Sequence, residues 1–304
     1  MSELPLPPAT RQLGTSGIAV SPIAWGMWRL AENGRTAADA AKLVHAALDA
    51  GITFLDTADI YGFDGAGGFG DAEVLLGEVL AADPSLRGRM VLATKGGILP
   101  PLPYDQSADY LTKAIDDSLR RLAVDSVDLW QIHRPDILAH PQEVARVLDD
   151  AVASGKVRSL GVSNFTVAQT AALNHFLGTK LATTQPEISP LRIDCFENGE
   201  LDQAMMLGLT PMAWSPLGGG RLAAPETPRD TAVAAALDVV AEAQGVSRTV
   251  AAYSWLMAHP AGIIPIIGSQ NAGRIAEGAE ALKVRWTRTD WYAVLVAARG
   301  VPLP

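Results

Sequence analysis

Residues 36–62 read TAADAAKLVHAALDAGITFLDTADIYG, and the order of features in that stretch decides the fold. Thr36 is placed to cap a helix, with Asp39 three residues on. Leu43, Val44, Ala47 and Leu48 then recur at helical spacing until Gly51 stops it. A short apolar run, Thr53–Thr57, follows at once and carries a carboxylate near its end, Asp56. A helix, a glycine and a short β-rich run in that order make half of a β–α–β unit.

The unit recurs along the chain in both directions. Further β-rich runs occur at Ile23–Met27, Met90–Thr94, Val127–His133, Ser159–Val162, Ala182–Glu187, Pro211–Ser215 and Ile263–Ile267. Stretches of helical length separate them, at about Asp71–Ala82, Ala108–Leu122, Gln142–Ala153, Val167–Leu177, Leu201–Leu207 and Thr231–Gln244. Ser107, Pro141 and Thr166 read as start signals and Gly178 as a stop. Eight β runs alternating with helices imply parallel strands with right-handed crossovers, and eight strands close a barrel that side chains can fill. The expectation is an α/β chain folded as a (β/α)8 TIM barrel; a doubly wound open sheet is the competing arrangement. Three features fall outside the repeat: a hairpin in RQLGTSGIAV (11–20) around Gly14–Gly17, an extra helix over Val250–His259, and a tail helix from near Thr289 to Gly300. With no long linker, residues 1–304 read as a single domain.

Composition narrows the function classes. Among 304 residues, 48% are hydrophobic and 19% charged, which excludes a disordered or fibrous chain. The lone Cys195 cannot form an internal disulfide, which favours a reducing compartment. The N-terminus lacks a basic and an apolar signal region, and IIPII (263–267) is too short to cross a bilayer, so a cytoplasmic protein without a membrane partner is expected. A formal charge of −9 disfavours nucleic acid as a partner, leaving a small molecule.

Almost every β run ends in a residue too polar for its surroundings. These are Asp56 followed by Tyr61, Lys95 in VLATKGG, His133 in VDLWQIHRPD, Ser163 with Asn164, Gln185, Trp214 with Ser215, and Ser269. Singly, each has an ordinary reading as a snorkelling lysine, a core histidine, a turn cap or loop packing. In a parallel barrel, however, all of these ends face one mouth, where active sites of this architecture lie. An ammonium at Lys95 needs a partner, which Asp56 can be. The same ammonium near the Tyr61 oxygen should lower the phenol pKa toward neutrality and make Tyr61 a proton carrier. A neutral His133 can donate to a carbonyl oxygen. The quartet therefore forms a proton-donating pocket for a C=O group, without a metal and with the reductant left to a cofactor.

Six segments taken in order, GITFLDTADIYG (51–62), VLATKGG (91–97), VDLWQIHRPD (127–136), GKVRSLGVSNF (155–165), PMAWSPLGGGRL (211–222) and IPIIGSQNAGRIAEG (264–278), resemble the successive strand-end motifs of the aldo-keto reductases, in particular the bacterial oxidoreductases with short substrate loops. The resemblance implies a (β/α)8 barrel that binds NADP(H) extended, with no Rossmann domain. It implies that Asp56, Tyr61, Lys95 and His133 are the catalytic tetrad, with Tyr61 as acid/base. By the same carry-over Ser163, Asn164 and Gln185 hold the nicotinamide carboxamide, and Trp214 stacks on its ring. Ser215, Leu217, Gly218 and Arg221 lie over the pyrophosphate, Ser269 and Arg274 meet the 2′-phosphate, and Glu277 meets the adenine. Gly26, Met27 and Gly268 complete the expected cofactor contacts. Gly268 stands where some members place a lysine and Gly278 where many have asparagine. GAGGFG (65–70) satisfies GxGxxG but follows a loop rather than a strand, and is read as a loop flanking the mouth.

The function so implied is reduction of an aldehyde or ketone to the alcohol by hydride from NADPH, with Tyr61 as the acid. Two other classes share the features: a nucleotide-sensing module like the potassium-channel β-subunits, and an aldolase that forms a Schiff base through Lys95. Trp28, Ile98, Tyr104 and Phe63 are candidate pocket walls that would favour an apolar or aromatic substrate group.

Overall fold

The computed structural model describes residues 3–303. The chain begins with an antiparallel pair, β1 (Arg11–Gln12) and β2 (Ala19–Val20), in register Arg11↔Val20 and Gln12↔Ala19. Eight parallel strands follow: β3 (Ala24–Gly26), β4 (Phe54–Asp56), β5 (Val91–Gly96), β6 (Leu129–Ile132), β7 (Leu160–Ser163), β8 (Leu181–Gln185), β9 (Thr210–Ala213) and β10 (Ile264–Ile267). Each pairs with the next in sequence, and β10 pairs with both β9 and β3, so the sheet closes. All eight expected β runs are strands of this barrel, and the (β/α)8 class holds over the open sheet.

Six helices separate β3 through β9: α1 (Ala37–Asp49), α2 (Asp71–Ala82), α3 (Ala108–Leu122), α4 (Pro141–Ala153), α5 (Val167–Phe176) and α6 (Glu200–Leu207). Three of these starts follow the side chains read from sequence: Thr36 Oγ1 accepts from Asp39 N, Ser107 from Tyr110 N, and Thr166 forms a reciprocal capping box with Gln169. Between β9 and β10 lie α7 (Pro228–Gln244) and α8 (Arg248–Met257). The first of these starts three residues before the expected Thr231, because Thr227 and Asp230 form a capping box around Pro228. After β10 come α9 (Ala272–Gly278), which sequence periodicity did not bring out, and α10 (Arg288–Arg299), ended by Gly300. Among the described residues no helix is long and apolar enough to cross a membrane.

Side chains alternate across each strand, so one face fills the barrel and the other meets the helices. At the N-terminal end, Phe54, Ala93, Leu129, Ala182, Met212 and Ile264 form the interior cluster, and Leu13, Ile18 and Val20 of the hairpin pack into it as a plug. Gly14 makes that approach possible: its φ is 56°, and a Cβ there would lie 2.4 Å from the Ala182 oxygen. Toward the C-terminal end the interior turns polar, with Gln131, Thr183, Asp56, Lys95 and Gln185 all buried. The ladder also runs on past the strand ends. Met27 N donates to Asp56 O (2.9 Å), Asp59 N to Lys95 O (2.9 Å), His133 N to Gly96 O (2.8 Å) and Asn164 N to Gln185 O (3.1 Å). These bonds carry the strand pairing into the first loop residues at the C-terminal edge, where the mouth lies.

Candidate active site

The deepest group at the mouth is the Lys95 ammonium. Lys95 is fully buried, and its Nζ donates to Asp56 Oδ2 at 2.6 Å and to the Thr57 carbonyl at 2.8 Å. The other Asp56 oxygen accepts from Gln185 Nε2 (3.1 Å) and Gln131 Nε2 (3.4 Å), and Gln131 Oε1 in turn accepts from Thr183 Oγ1 (3.0 Å). Gly161 leaves the room for this layer, since a Cβ there would lie 2.0 Å from Thr183 Oγ1. The ion pair is thus buried with both carboxylate oxygens and two of the three ammonium protons hydrogen-bonded.

Tyr61 and His133 lie above this pair. Lys95 Nζ is 4.9 Å from the Tyr61 ring centroid, and the Tyr61 and His133 rings meet edge to face at 5.8 Å and 80°. The four residues expected to act together converge, therefore, across three strand ends and one loop. Burial works against the Lys95 charge, but Asp56 and Tyr61 more than offset it, so the ammonium sits above its usual value. For His133, burial and the nearby Lys95 push the pKa well down, leaving a neutral imidazole. Tyr61 departs from the sequence expectation. Burial raises its pKa and outweighs the lowering by Lys95, so the group is a protonated phenol with a pKa above its ordinary value, not one near neutrality. The sequence carries the ammonium's pull but not the depth at which the phenol sits.

Around the mouth, Ser163, Asn164, Gln185 and Trp214 form one network. Trp214 Nε1 donates to Asn164 Oδ1 (2.9 Å), Asn164 Nδ2 to Ser163 Oγ (2.9 Å) and to the His133 carbonyl (3.1 Å), and Ser163 Oγ to Gln185 O (2.8 Å). Asn164 and Ser215 both hold positive φ, 59° and 52°. Such strain in non-glycine residues clusters at functional sites. After Leu217, the three glycines Gly218–Gly220 all have positive φ, and Gly219 and Gly220 are exposed with open space where a Cβ would go. Arg221 is already engaged: its Nε and Nη2 grip both oxygens of the buried Asp230 at 2.9 and 2.5 Å. A cavity of about 340 Å³ lies beside this turn, between Gly218, Arg221 and the loop from Glu187 to Asp194, and does not reach Tyr61.

The end of β10 is open. Gly268 is exposed with nothing within 4 Å of a built Cβ, and Arg274 and Glu277 stand exposed on α9. The Ser269 carbonyl accepts from Trp25 Nε1 (3.0 Å), and its Oγ accepts from Asn271 N (3.2 Å). Gln270 Nε2 donates to the Gly26 carbonyl (3.1 Å), while its Oε1 is buried without a partner among the described residues. Gly26 itself is required by packing, because a Cβ would lie 2.7 Å from Ile266 Cγ2; Met27 beside it is fully buried. Gly278 is likewise closely packed, its Cβ position 2.3 Å from Ile267 Cδ1, so a larger residue there requires the end of that side chain to move.

Of the proposed walls, Trp28 is 63% exposed and Tyr104 39%, whereas Ile98 and Phe63 are half-buried. Two guanidinium groups lie against aromatic rings near the strand ends, Arg29 5.1 Å from the Trp28 ring and Arg134 5.8 Å from Trp214. GAGGFG is a loop tied by Asp64 Oδ1, which accepts from Ala66 N and Gly67 N, and Gly70 is closed off by the Arg121 side chain. Gln131 and Thr183 were missed from sequence, although each stands two residues before a site residue on the same strand face.

Comparison with known proteins agrees with this fold. The model of the Aldo/keto reductase family matches residues 22–295. A "6-dehydroglucose reductase" of Novosphingobium aromaticivorans is 88% identical over 304 residues, covering all of both chains. A second "6-dehydroglucose reductase", from Agrobacterium fabrum, is 39% identical over 93% of this chain and 96% of its own. A crystal structure of the thermostable aldo-keto reductase Tm1743 with the inhibitor epalrestat superposes with a TM-score of 0.83 at 21% identity, over 95% of this chain and 99% of that one. The match extends across nearly the full barrel, and the chain belongs to the aldo/keto reductase family.

Proposed function

We propose that this protein reduces a sugar aldehyde, 6-dehydroglucose, to the alcohol with NADPH, and that Asp56, Tyr61, Lys95 and His133 carry the proton side of the reaction. The observation that supports it best is the buried Lys95–Asp56 pair, 2.6 Å apart, beneath a phenol that faces a neutral imidazole. The substrate rests on the name shared by two relatives and on a rim that mixes aromatic faces with guanidinium groups, which suits a hydroxylated ring better than a plain hydrocarbon.

The residues present fit a nicotinamide dinucleotide. The open glycine turn at Gly218–Gly220 leaves backbone accessible to a pyrophosphate, the orphaned Gln270 Oε1 marks an unmet acceptor beside Gly26, and strained Asn164 and Ser215 flank Trp214. Ser163, Asn164 and Gln185 would hold the carboxamide, with Trp214 against the ring, Ser215 and Leu217 near the pyrophosphate, and Met27 behind the nicotinamide. Arg274 and Ser269 would take the 2′-phosphate and Glu277 the adenine; Gly268 offers space there but no charge. Arg221 then acts by clamping the turn through Asp230. When bound, the cofactor supplies the hydride that reaches the carbonyl carbon.

The chain's own residues govern the oxygen. Neutral His133 donates a hydrogen bond that orients the carbonyl. Tyr61 gives its proton to the oxygen as negative charge develops there, and the Lys95 ammonium stabilises the resulting phenolate. Asp56 holds Lys95 charged and in place. A phenol whose pKa lies above its ordinary value is fully protonated at neutral pH, which favours the reducing direction. The aldolase alternative fits poorly, because an ammonium held above its usual value is a weak nucleophile. The test is consumption of NADPH, with glucose as the identified product, when purified protein is given 6-dehydroglucose alongside simple aliphatic and aromatic aldehydes. Fastest turnover of the sugar aldehyde is expected; no turnover of any carbonyl would overturn the reading.

A further inference from the structure

Two residues before Tyr61 a second carboxyl group is buried, and the proton-transfer scheme makes no use of it. Asp59, on the loop between β4 and α2, is 1% exposed. Its Oδ2 lies 3.4 Å from the Tyr110 hydroxyl on α3, and that same hydroxyl lies 3.3 Å from the Ile98 carbonyl. Its Oδ1 is buried without a partner among the described residues. The charged groups around it are committed elsewhere. From α3, Arg121 Nε donates to Glu73 Oε2 (2.7 Å); from α2, Glu73 also accepts from Thr94 Oγ1; from β5, Lys95 Nζ is held by Asp56 and Thr57. Asp59 therefore has no cation of its own. Gly96 lets it in, since a Cβ there would lie 2.9 Å from Asp59 Oδ2 and 2.8 Å from the Trp130 ring.

A phenol has one proton and here stands between a carboxyl and a carbonyl. Against an ionised carboxylate the single phenol proton goes to Asp59 Oδ2 or is shared with the Ile98 carbonyl; two separate hydrogen bonds form when the phenol donates to Ile98 and receives from a protonated carboxyl. We propose that Asp59 is a positioning residue for Tyr61: as a carboxylic acid it donates to Tyr110, Tyr110 donates to the Ile98 carbonyl, and the chain holds the Tyr61 loop against the loop that walls the mouth. Burial, and then the charge on Glu73, push this carboxyl well above its ordinary range, with Arg121, the Tyr110 hydroxyl and the Ile60 backbone opposing only in part. A neutral Asp59 also keeps a negative charge away from Tyr61, whose phenolate it would disfavour.

The inference rests on Tyr61 as proton donor, and the two can fail separately. Asp59→Asn keeps a donor at the same atom and cannot ionise, whereas Asp59→Leu and Tyr110→Phe break the chain. Each breaking variant should lower kcat about tenfold with KM for NADPH within about twofold, since the loss is one of alignment. Their combination should be no worse than either alone, and Asp59→Asn should stay within about threefold of wild type. A second readout needs no turnover. Because the folded state keeps a proton that the unfolded chain releases near pH 4, wild type should lose thermal stability relative to Asp59→Asn as pH rises from about 4, levelling once the folded group ionises. Asp59→Asn as slow as Asp59→Leu, or melting curves for wild type and Asp59→Asn that track each other at every pH, would overturn the proposal. Should the wild type turn over no aldehyde, the reductase reading fails while the melting comparison still decides Asp59.

Discussion

Replacing Lys95 by methionine removes one partner of a pair in which Lys95 is fully buried and Asp56 nearly so. The Asp56 carboxylate would keep its bonds from Gln185 and Gln131 but lose the 2.6 Å ammonium, and the Thr57 carbonyl would lose a donor. Breaking a buried pair from one side costs about 3–5 kcal/mol, because the remaining charge stays desolvated. With an unfolding entropy of roughly 2.1 cal/mol/K per residue, a chain of 304 residues loses about 1.6 °C in Tm per kcal/mol, so Lys95→Met should melt about 5–8 °C lower. Adding Asp56→Asn removes the stranded charge and keeps the acceptor for both glutamines, so the double variant should return to within about 3 °C of wild type. Both variants should be inactive. The pH dependence follows from the raised Lys95 pKa: this contribution is fully present below the unfolded value of about 10.4 and is lost only as pH rises through the folded value above it. Scanning calorimetry or dye-monitored melting reads all of these. A Lys95→Met protein that melts with wild type, or a double variant no better than the single, would refute the buried-pair argument.

Two further predictions concern His133 and the cofactor. Since the His133 pKa is depressed on folding, acidification below about pH 6.5 should cost wild type up to about 1.4 kcal/mol per pH unit that His133→Asn does not lose, read as diverging melting curves between pH 6.5 and 5. Arg274→Ala removes an exposed guanidinium from the open end of β10, and should weaken NADPH about tenfold while leaving NADH within about twofold, by fluorescence titration; equal losses for both would mean that Arg274 does not meet the 2′-phosphate.

The barrel was legible because each strand is a short apolar run and several helices carry their own start or stop, as Thr36, Ser107, Thr166 and Gly300 do. The mouth was legible because Asp56, Lys95, His133 and Gln185 interrupt apolar runs at the same strand edge. α9 escaped notice because seven residues carry too little periodicity, and only Asn271 at its cap marks it. The direction of the Tyr61 pKa shift differs from the sequence expectation, since sequence shows which charges are present but not how far the phenol is desolvated. The packing of Gly26 against Ile266 and of Gly278 against Ile267 joins strands and helix far apart in the chain and is visible only in three dimensions. The Asp59–Tyr110 contact spans 51 residues of chain and could be seen only in three dimensions.

The most direct measurement of the central claim is the turnover of Tyr61→Phe with NADPH and 6-dehydroglucose, paired with its affinity for NADPH. Loss of the only proposed proton donor should cut kcat by at least about a hundredfold while NADPH binds within about twofold of wild type. A variant that reduces the aldehyde at the wild-type rate, with the cofactor bound as before, would contradict the account.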